Sequence, residues 1–326
     1  MRFCLVILLA LALAAGPLSV HAQDDPTPDV QTALDTVRAA LDNFAQADTY
    51  SGQILQTIDQ VITINYLGET VALTQAIKME GVVTLQKAPQ QRYADRQMDF
   101  VQSIAQTIAG SGLDDTTEIG PITFNIRVVN DRFYLRVQAD DPLVAAQFPD
   151  GWRDITDGAD AFPGMSLYDI DGLLAIGGNL GADFVAGMLD SVTSITPEPV
   201  TDAANDSLAR YRLTLDPART LDLIGMPSIV DMFDESRVPF DVPALIERLF
   251  NDEATAYTVL ATVDASTNTL VEYVDDWRID IEITPDLIID PSLAGATMTL
   301  EQHSVQVLRP TAVNEPVIIA APEIAE

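Results

Sequence analysis

Cysteine is almost missing from this chain. Its one copy, Cys4, sits at the extreme N-terminus, so the rest of the chain has neither disulfide nor thiolate chemistry. Cys4 also comes too early for a lipoprotein acylation site, which needs the cysteine just after an apolar core. No lipid anchor is expected. Lysine is scarce too, with Lys78 and Lys87 alone, and 17 basic side chains face 49 acidic ones for a net charge of −32. Such a chain is repelled by nucleic acid and by anionic membrane surfaces. The acids are spread along the sequence, as on a solvated surface. Past residue 22 the one remaining histidine is His303, so a Ser–His arrangement has a single candidate base. No G-x-S-x-G elbow, S-x-x-K set or H-E-x-x-H helix is present. The prediction is a protein that is not an enzyme, with no metal site and no cofactor.

Long apolar runs are also lacking, apart from one. Arg2 precedes an apolar core over Leu5 to Leu13, Gly16-Pro17 breaks it, and Val20-His21-Ala22 offers small residues for a peptidase. This reads as a secretory signal peptide over residues 1–22, cleaved after Ala22. The run is shorter than the roughly 20 residues that span a bilayer. The expected mature chain is exported, periplasmic or extracellular, without stable membrane insertion. With 48% hydrophobic residues, about 300 remaining residues can bury well over half of their unfolded surface without disulfides.

What remains is periodic. Thr27, Pro28 and Asp29 open a helix whose stripe is Val30, Leu34, Val37, Leu41 and Phe44, ending near Asp48. From Tyr50 the period becomes two. Long strands are predicted from Tyr50, from Val71 to Lys87 and from Tyr93 to Val101. Gly110 to Pro121 reads as turn-rich. A hairpin follows about Asn130-Asp131, with Ile122, Phe124, Ile126 and Val128 answered by Phe133, Leu135 and Val137. The middle third is punctuated by proline and glycine. Short helices are expected at 143–147, 167–174 and 181–191, then from Asp216-Pro217 and from Asp241. Strands resume over 208–215, 257–263, 271–283 and 297–308. Residues 311–326 read as a flexible tail.

No repeat and no linker is visible. Residues 23–310 are predicted to form one α+β domain, a long-stranded antiparallel sheet covered on one face by helices. The Asp- and Gly-rich stretches at 154–160 and 169–172 lack the full calcium-loop pattern. Gly177 to Gly181 lacks the Lys-Ser/Thr of a phosphate loop. Turn chemistry accounts for the first two, and a loop leading into a helix for the third.

The order of signal, helix and meandering strands carries a family likeness. So do Arg132-Phe133-Tyr134-Leu135-Arg136-Val137, the Gly151-Trp152-Arg153 corner, and the hairpin from Ala256-Tyr257-Thr258-Val259 to Trp277-Arg278-Ile279-Asp280. The chain resembles the LolA/LppX-like group of bacterial lipoprotein carriers and LprG/LppX glycolipid-binding proteins. The resemblance implies a half-open β-barrel packed against helices, with acyl chains held between them. It further implies a bacterial envelope protein that binds a lipid or other hydrophobic small molecule, with an envelope protein as a candidate partner. The chain differs from the group in lacking the lipoprotein cysteine and in its acidity.

Candidate residues for an apolar cavity are Ile58, Ile62, Met79, Met98, Phe100, Phe184, Met188, Tyr257, Tyr273, Trp277 and Ile279. They are large and adaptable, and suit a variable ligand. On the expected strand that carries Trp277, Val271, Tyr273, Trp277, Ile279, Ile281 and Ile283 form the inward set, and Asp275 breaks it. The same apolar faces fit two readings. One is a cavity. The other is a filled core in an envelope structural or interaction protein.

Overall fold

The computed structural model describes residues 28–88, 90–91, 93–110, 112, 114–146, 150–156, 182–200, 207–219, 240–241, 244–245, 248 and 255–324. The predicted signal peptide, the predicted helix at 167–174 and much of the helical middle lie outside this set.

Helix α1 runs over Pro28–Gln46 and buries Val37, Ala40, Leu41 and Phe44 on one stripe. The 3–4 spacing of those residues is what makes the helix amphipathic. The sheet follows: β1 Thr49–Tyr66, β2 Glu69–Gln86, β3 Asp95–Ala109, β4 Asp115–Val129, β5 Arg132–Ala139 and β6 Arg153–Asp154. After helix α2, Ala182–Asp190, come β7 Val192–Glu198, β8 Leu208–Leu215, β9 Thr255–Asp264, β10 Thr269–Ile283 and β11 Thr297–Val313.

The eleven strands form one open sheet in the order β6-β5-β4-β3-β2-β1-β11-β10-β9-β8-β7. Every paired neighbour is antiparallel. The fold is a half-open barrel with helices on its inner face. Tight turns produce the meander. Leu67-Gly68 and Asn130-Asp131 both hold positive φ at two successive residues, the geometry that matches strand twist in two-residue hairpins. The meander is interrupted once, where β11 returns to pair with β1 and joins the two halves at the centre of the sheet.

Two predicted caps are in place. Asp216 Oδ1 accepts from the Arg219 amide at 3.0 Å, and Asp241 Oδ1 from the Ala244 amide at 3.1 Å. Four expectations change. The stretch from Gly110 to Pro121 is not all turn. β3 continues to Ala109 and β4 starts at Asp115, carrying a bulge beside Gly120-Pro121. β7 was not predicted, because Pro197 and its exposed polar residues blur the alternation of an edge strand. Val271 sits at a bulge, which turns it outward at 37% exposure and puts Leu270 inside. Finally, β11 extends to Val313, and Ile319 in the segment beyond it is buried against Val129 and Tyr134, beside Trp152.

The inner face carries two apolar clusters. The larger lies under α1 and α2 and joins Val37, Leu41 and Met188 to Ile54, Val83, Leu135, Val259 and Leu308. The smaller lies at the other end of the central strands, where Ile62, Ile279, Ile281, Ile283 and Leu300 meet Phe240 and Leu245.

Candidate functional site

Register places the residues between those clusters in rows that cross the sheet. One row reads Trp277, Ser304, Ile58, Ile77 and Ile104 on β10, β11, β1, β2 and β3. Toward the smaller cluster the next inward row is Ile279, Gln302, Gln60, Gln75 and Gln106. Toward the larger cluster it is Asp275, Gln306, Gln56, Met79 and Gln102. Successive inward rows stand about 7 Å apart along the strands. The inner face is therefore apolar at both ends and banded with glutamine in the middle.

Exposure follows the same division. Ile58, Ile77, Ile104 and Trp277 are half-buried, whereas the residues at the centre of each cluster are sealed. Gln60, Gln75 and Gln302 are buried, and Gln60 donates its side-chain amide to Gln302 Oε1 at 3.0 Å. The result is an aliphatic strip with accessible surface, walled by polar rows.

The predicted residues divide among these regions. Met79, Met98, Phe100, Met188, Tyr257 and Tyr273 are buried in the larger cluster, with Trp277 packed against it. Ile62 and Ile279 are buried in the smaller one. Ile58 lies on the strip between. Phe184 falls on α2, and its side chain lies outside the described residues. The space among Met79, Met98 and Phe100 is about 10 Å³, at the lower limit for holding one water.

Asp275 is the chemically unusual group. Its Oδ1 is buried without a hydrogen-bond partner. Burial pushes its carboxyl up to about 7, against hydrogen bonds from Tyr257 and Trp277 that favour the ionised form. Tyr257 lies flat on Trp277 with ring centroids 3.8 Å apart, and the Tyr273 hydroxyl reaches Met188 Sδ at 3.3 Å. Burial first, then the neighbouring Asp275 carboxyl, raises both tyrosines well above their ordinary value. The sequence reading recognised Asp275 as a break in the pattern but missed the glutamine rows. Their signal was there: Gln56 and Gln60 share the parity of Ile54, Ile58 and Ile62.

The outer face is different. Asp59, Glu80, Asp280, Glu282 and Glu301 are exposed there. His303 Nε2 lies 3.0 Å from Asp276 Oδ1 on this face, while Ser304 points inward, so the adjacent serine and histidine cannot act together. The outer face also holds a groove of about 520 Å³ floored by Leu55, Val82 and Val101, with Glu80, Asp99 and Arg309 among its walls. No helix among the described residues is long and apolar enough to cross a membrane.

Comparison with known proteins yields structural likeness alone. No family model matches the chain, and no curated protein matches it in sequence. Among solved structures it is similar to a DUF1329 family protein from Desulfovibrio piger, at 10% identity over 85% of this chain and 92% of that one, with a TM-score of 0.21. It is similar to the translocator domain of autotransporter NalP from Neisseria meningitidis, at 8% identity over 86% and 99%, with a TM-score of 0.20. It is also similar to a putative outer membrane lipoprotein-sorting protein domain from Vibrio parahaemolyticus, at 7% identity over 84% and 88%, with a TM-score of 0.16. Superpositions this loose carry no argument about ligand or role, so the functional reading rests on the site.

Proposed function

We propose that this chain is an exported, non-enzymatic binder or carrier of a lipid or other amphiphile, held against the inner face of the half-barrel. The observation behind this is the half-exposed strip of Ile58, Ile77, Ile104 and Trp277 between two sealed clusters. Ile279 stands in the row on one side of the strip, with Ile62 one row beyond, and Met79 stands in the row on the other side. Met98, Phe100, Met188, Tyr257 and Tyr273 belong to the larger cluster beside the strip.

The energetics suit such a ligand. Each methylene moved from water contributes roughly 0.8 kcal/mol. About ten methylenes give about 8 kcal/mol before the cost of association, which is itself at least about 4 kcal/mol. A chain alone therefore binds weakly, and polar contacts to its head decide the affinity. In this reading residues 23–310 act as one domain after cleavage at Ala22, with no acyl anchor. The partner that loads or receives the ligand is an envelope protein.

A second reading has a specific observation in its favour. The near-absence of space among Met79, Met98 and Phe100 suits a filled scaffold whose role is structural. One experiment separates the two. The mature protein, isolated from its exported fraction, is examined by native mass spectrometry and by titration with a fluorescent fatty acid analogue. Bound lipid, or saturable binding lost on replacing Ile77 by Trp, supports the carrier. Repeated absence of both leaves the filled scaffold.

A further inference from the structure

Inner-facing positions of the central strands are almost free of charge. Along β1, β2, β3, β9, β10 and β11, between the strand ends, they carry two charged side chains, Arg96 and Asp275. Arg96 is buried at the α1 end, level with Tyr50 through Leu85, and six residues from Gln102 in the Asp275 row. That is about 20 Å along the strands. Among these described inward positions, no cation stands near the strip to receive an anionic head.

Asp275 has the opposite property. Its row borders the strip, one inward step from Trp277 and directly opposite Gln306. Tyr257 and Trp277 donate to the carboxyl, yet Oδ1 has no partner although it is buried. A buried acceptor left unmade costs about 1–3 kcal/mol, more for a charged group. A ligand that brings a donor to Oδ1 recovers that cost. A ligand that brings a second negative charge adds repulsion in a poorly solvated site.

We infer that the inner strip selects amphiphiles by their heads: a head with a hydroxyl, amide or ammonium donor is accepted by Asp275 Oδ1, and a carboxylate or sulfate head is rejected. This rests on the binder reading above and adds the chemistry of the head to it. Gln306 stands beside Asp275 and Gln56 beyond it in the same row, so a head with several hydroxyls meets amide acceptors and donors on the β1 side of the carboxyl.

The test uses two probes with the same tail, 1-monododecanoylglycerol and dodecanoate, each below its micelle concentration at pH 8. Trp277 is followed by fluorescence in a Trp152→Phe background, since the chain has two tryptophans. The expected result is binding of the glycerol ester at least tenfold tighter than the carboxylate, with an emission shift from Trp277. In Asp275→Asn, which has nearly the same shape without the charge, dodecanoate should gain and the preference should fall by about tenfold. Asp276→Asn, on the outer face, should change neither affinity. Equal affinity of the two probes in the parent protein, or a preference unchanged in a folded Asp275→Asn variant, overturns head selection while leaving the strip as a binding surface. Failure of both probes to bind the parent protein overturns the inference together with the binder reading. The parent comparison stands even if the Asp275 variant fails to fold.

Discussion

Gln60 and Gln302 join the first strand of the sheet to the last through a buried amide hydrogen bond of 3.0 Å. The bond lies in a glutamine row that separates the two apolar clusters, so it fixes register at the one junction between strands that do not follow each other in the chain. Replacing Gln302 by Leu strands the Gln60 amide. The expected loss is about 1–3 kcal/mol. Replacing both by Leu should cost less than the single change, because no buried polar group is then left unmade. Urea unfolding of the two single variants and the double variant measures this directly. Additive losses would show that the bond is incidental.

Asp275 should set how stability varies with pH. Its folded carboxyl titrates near 7, above the ordinary 3.8, so the folded state holds the proton more tightly than the unfolded chain. Stability should therefore fall as pH rises from about 4 to about 7, then level off. Asp275→Asn removes this dependence. The variant should exceed the parent by on the order of 2–4 kcal/mol at pH 8, with the gap closing toward pH 4. Asp99 works in the other direction. Burial raises it, but hydrogen bonds from Arg127, Asn125 and Gln97 outweigh that and hold it below its ordinary value. Its contribution is present above the unfolded carboxylate range and lost below it. Chemical denaturation at several pH values, for the parent and the Asn variant, separates the two effects. A constant gap across the range would contradict the assignment to Asp275.

Gly81 sits where β2 and β3 approach closely. A Cβ there would stand 2.2 Å from the Asp99 carbonyl oxygen and 2.5 Å from Phe100 Cβ. Neither atom is the free end of a flexible side chain, so β3 itself would have to move. Gly81→Ala is expected to cost about 1–3 kcal/mol and to disturb the stacking of Phe100 on Phe124, whose centroids are 5.1 Å apart. A thermal melt checks the first point and near-ultraviolet circular dichroism the second. An unchanged melt would mean that the strands separate freely at this position.

The periodic elements were legible in the sequence because their burial is one-sided. The Val37-Leu41-Phe44 stripe and the Phe133-Leu135-Val137 alternation each point to a single covered face. The Asp216 and Asp241 caps were legible because a side-chain oxygen before a helix has few other uses. The middle of the trough was not. Its inward positions are Gln56, Gln60, Gln102 and Gln306, and a polar residue on a strand reads as solvent-facing until the cross-strand partners are known. Asp275 stood out only as an irregularity, since nothing local reveals that Tyr257 lies beside it. The bulge at Val271 shifted the face of one residue for the same reason: register belongs to the pair of strands.

Enlarging side chains at two inward positions, one on β10 and one on β2, should give opposite results. Ile279 is buried in the smaller cluster among Ile62, Ile281, Ile283 and Leu300. Ile279→Trp is therefore expected to overpack and cost about 1–3 kcal/mol. Ile77 lies on the strip, half-buried, and belongs to neither cluster. Ile77→Trp can lay its indole along the strip, so stability should change by within about 0.5 kcal/mol. If the strip holds an acyl chain, that indole occupies its place and bound lipid should fall several-fold. Glu282→Trp on the outer face serves as the control and should alter neither quantity. Thermal midpoint and lipid content are measured together on all three variants. A large destabilisation by Ile77→Trp would mean that the strip is filled by the protein itself, and the carrier reading would then give way to the packed scaffold.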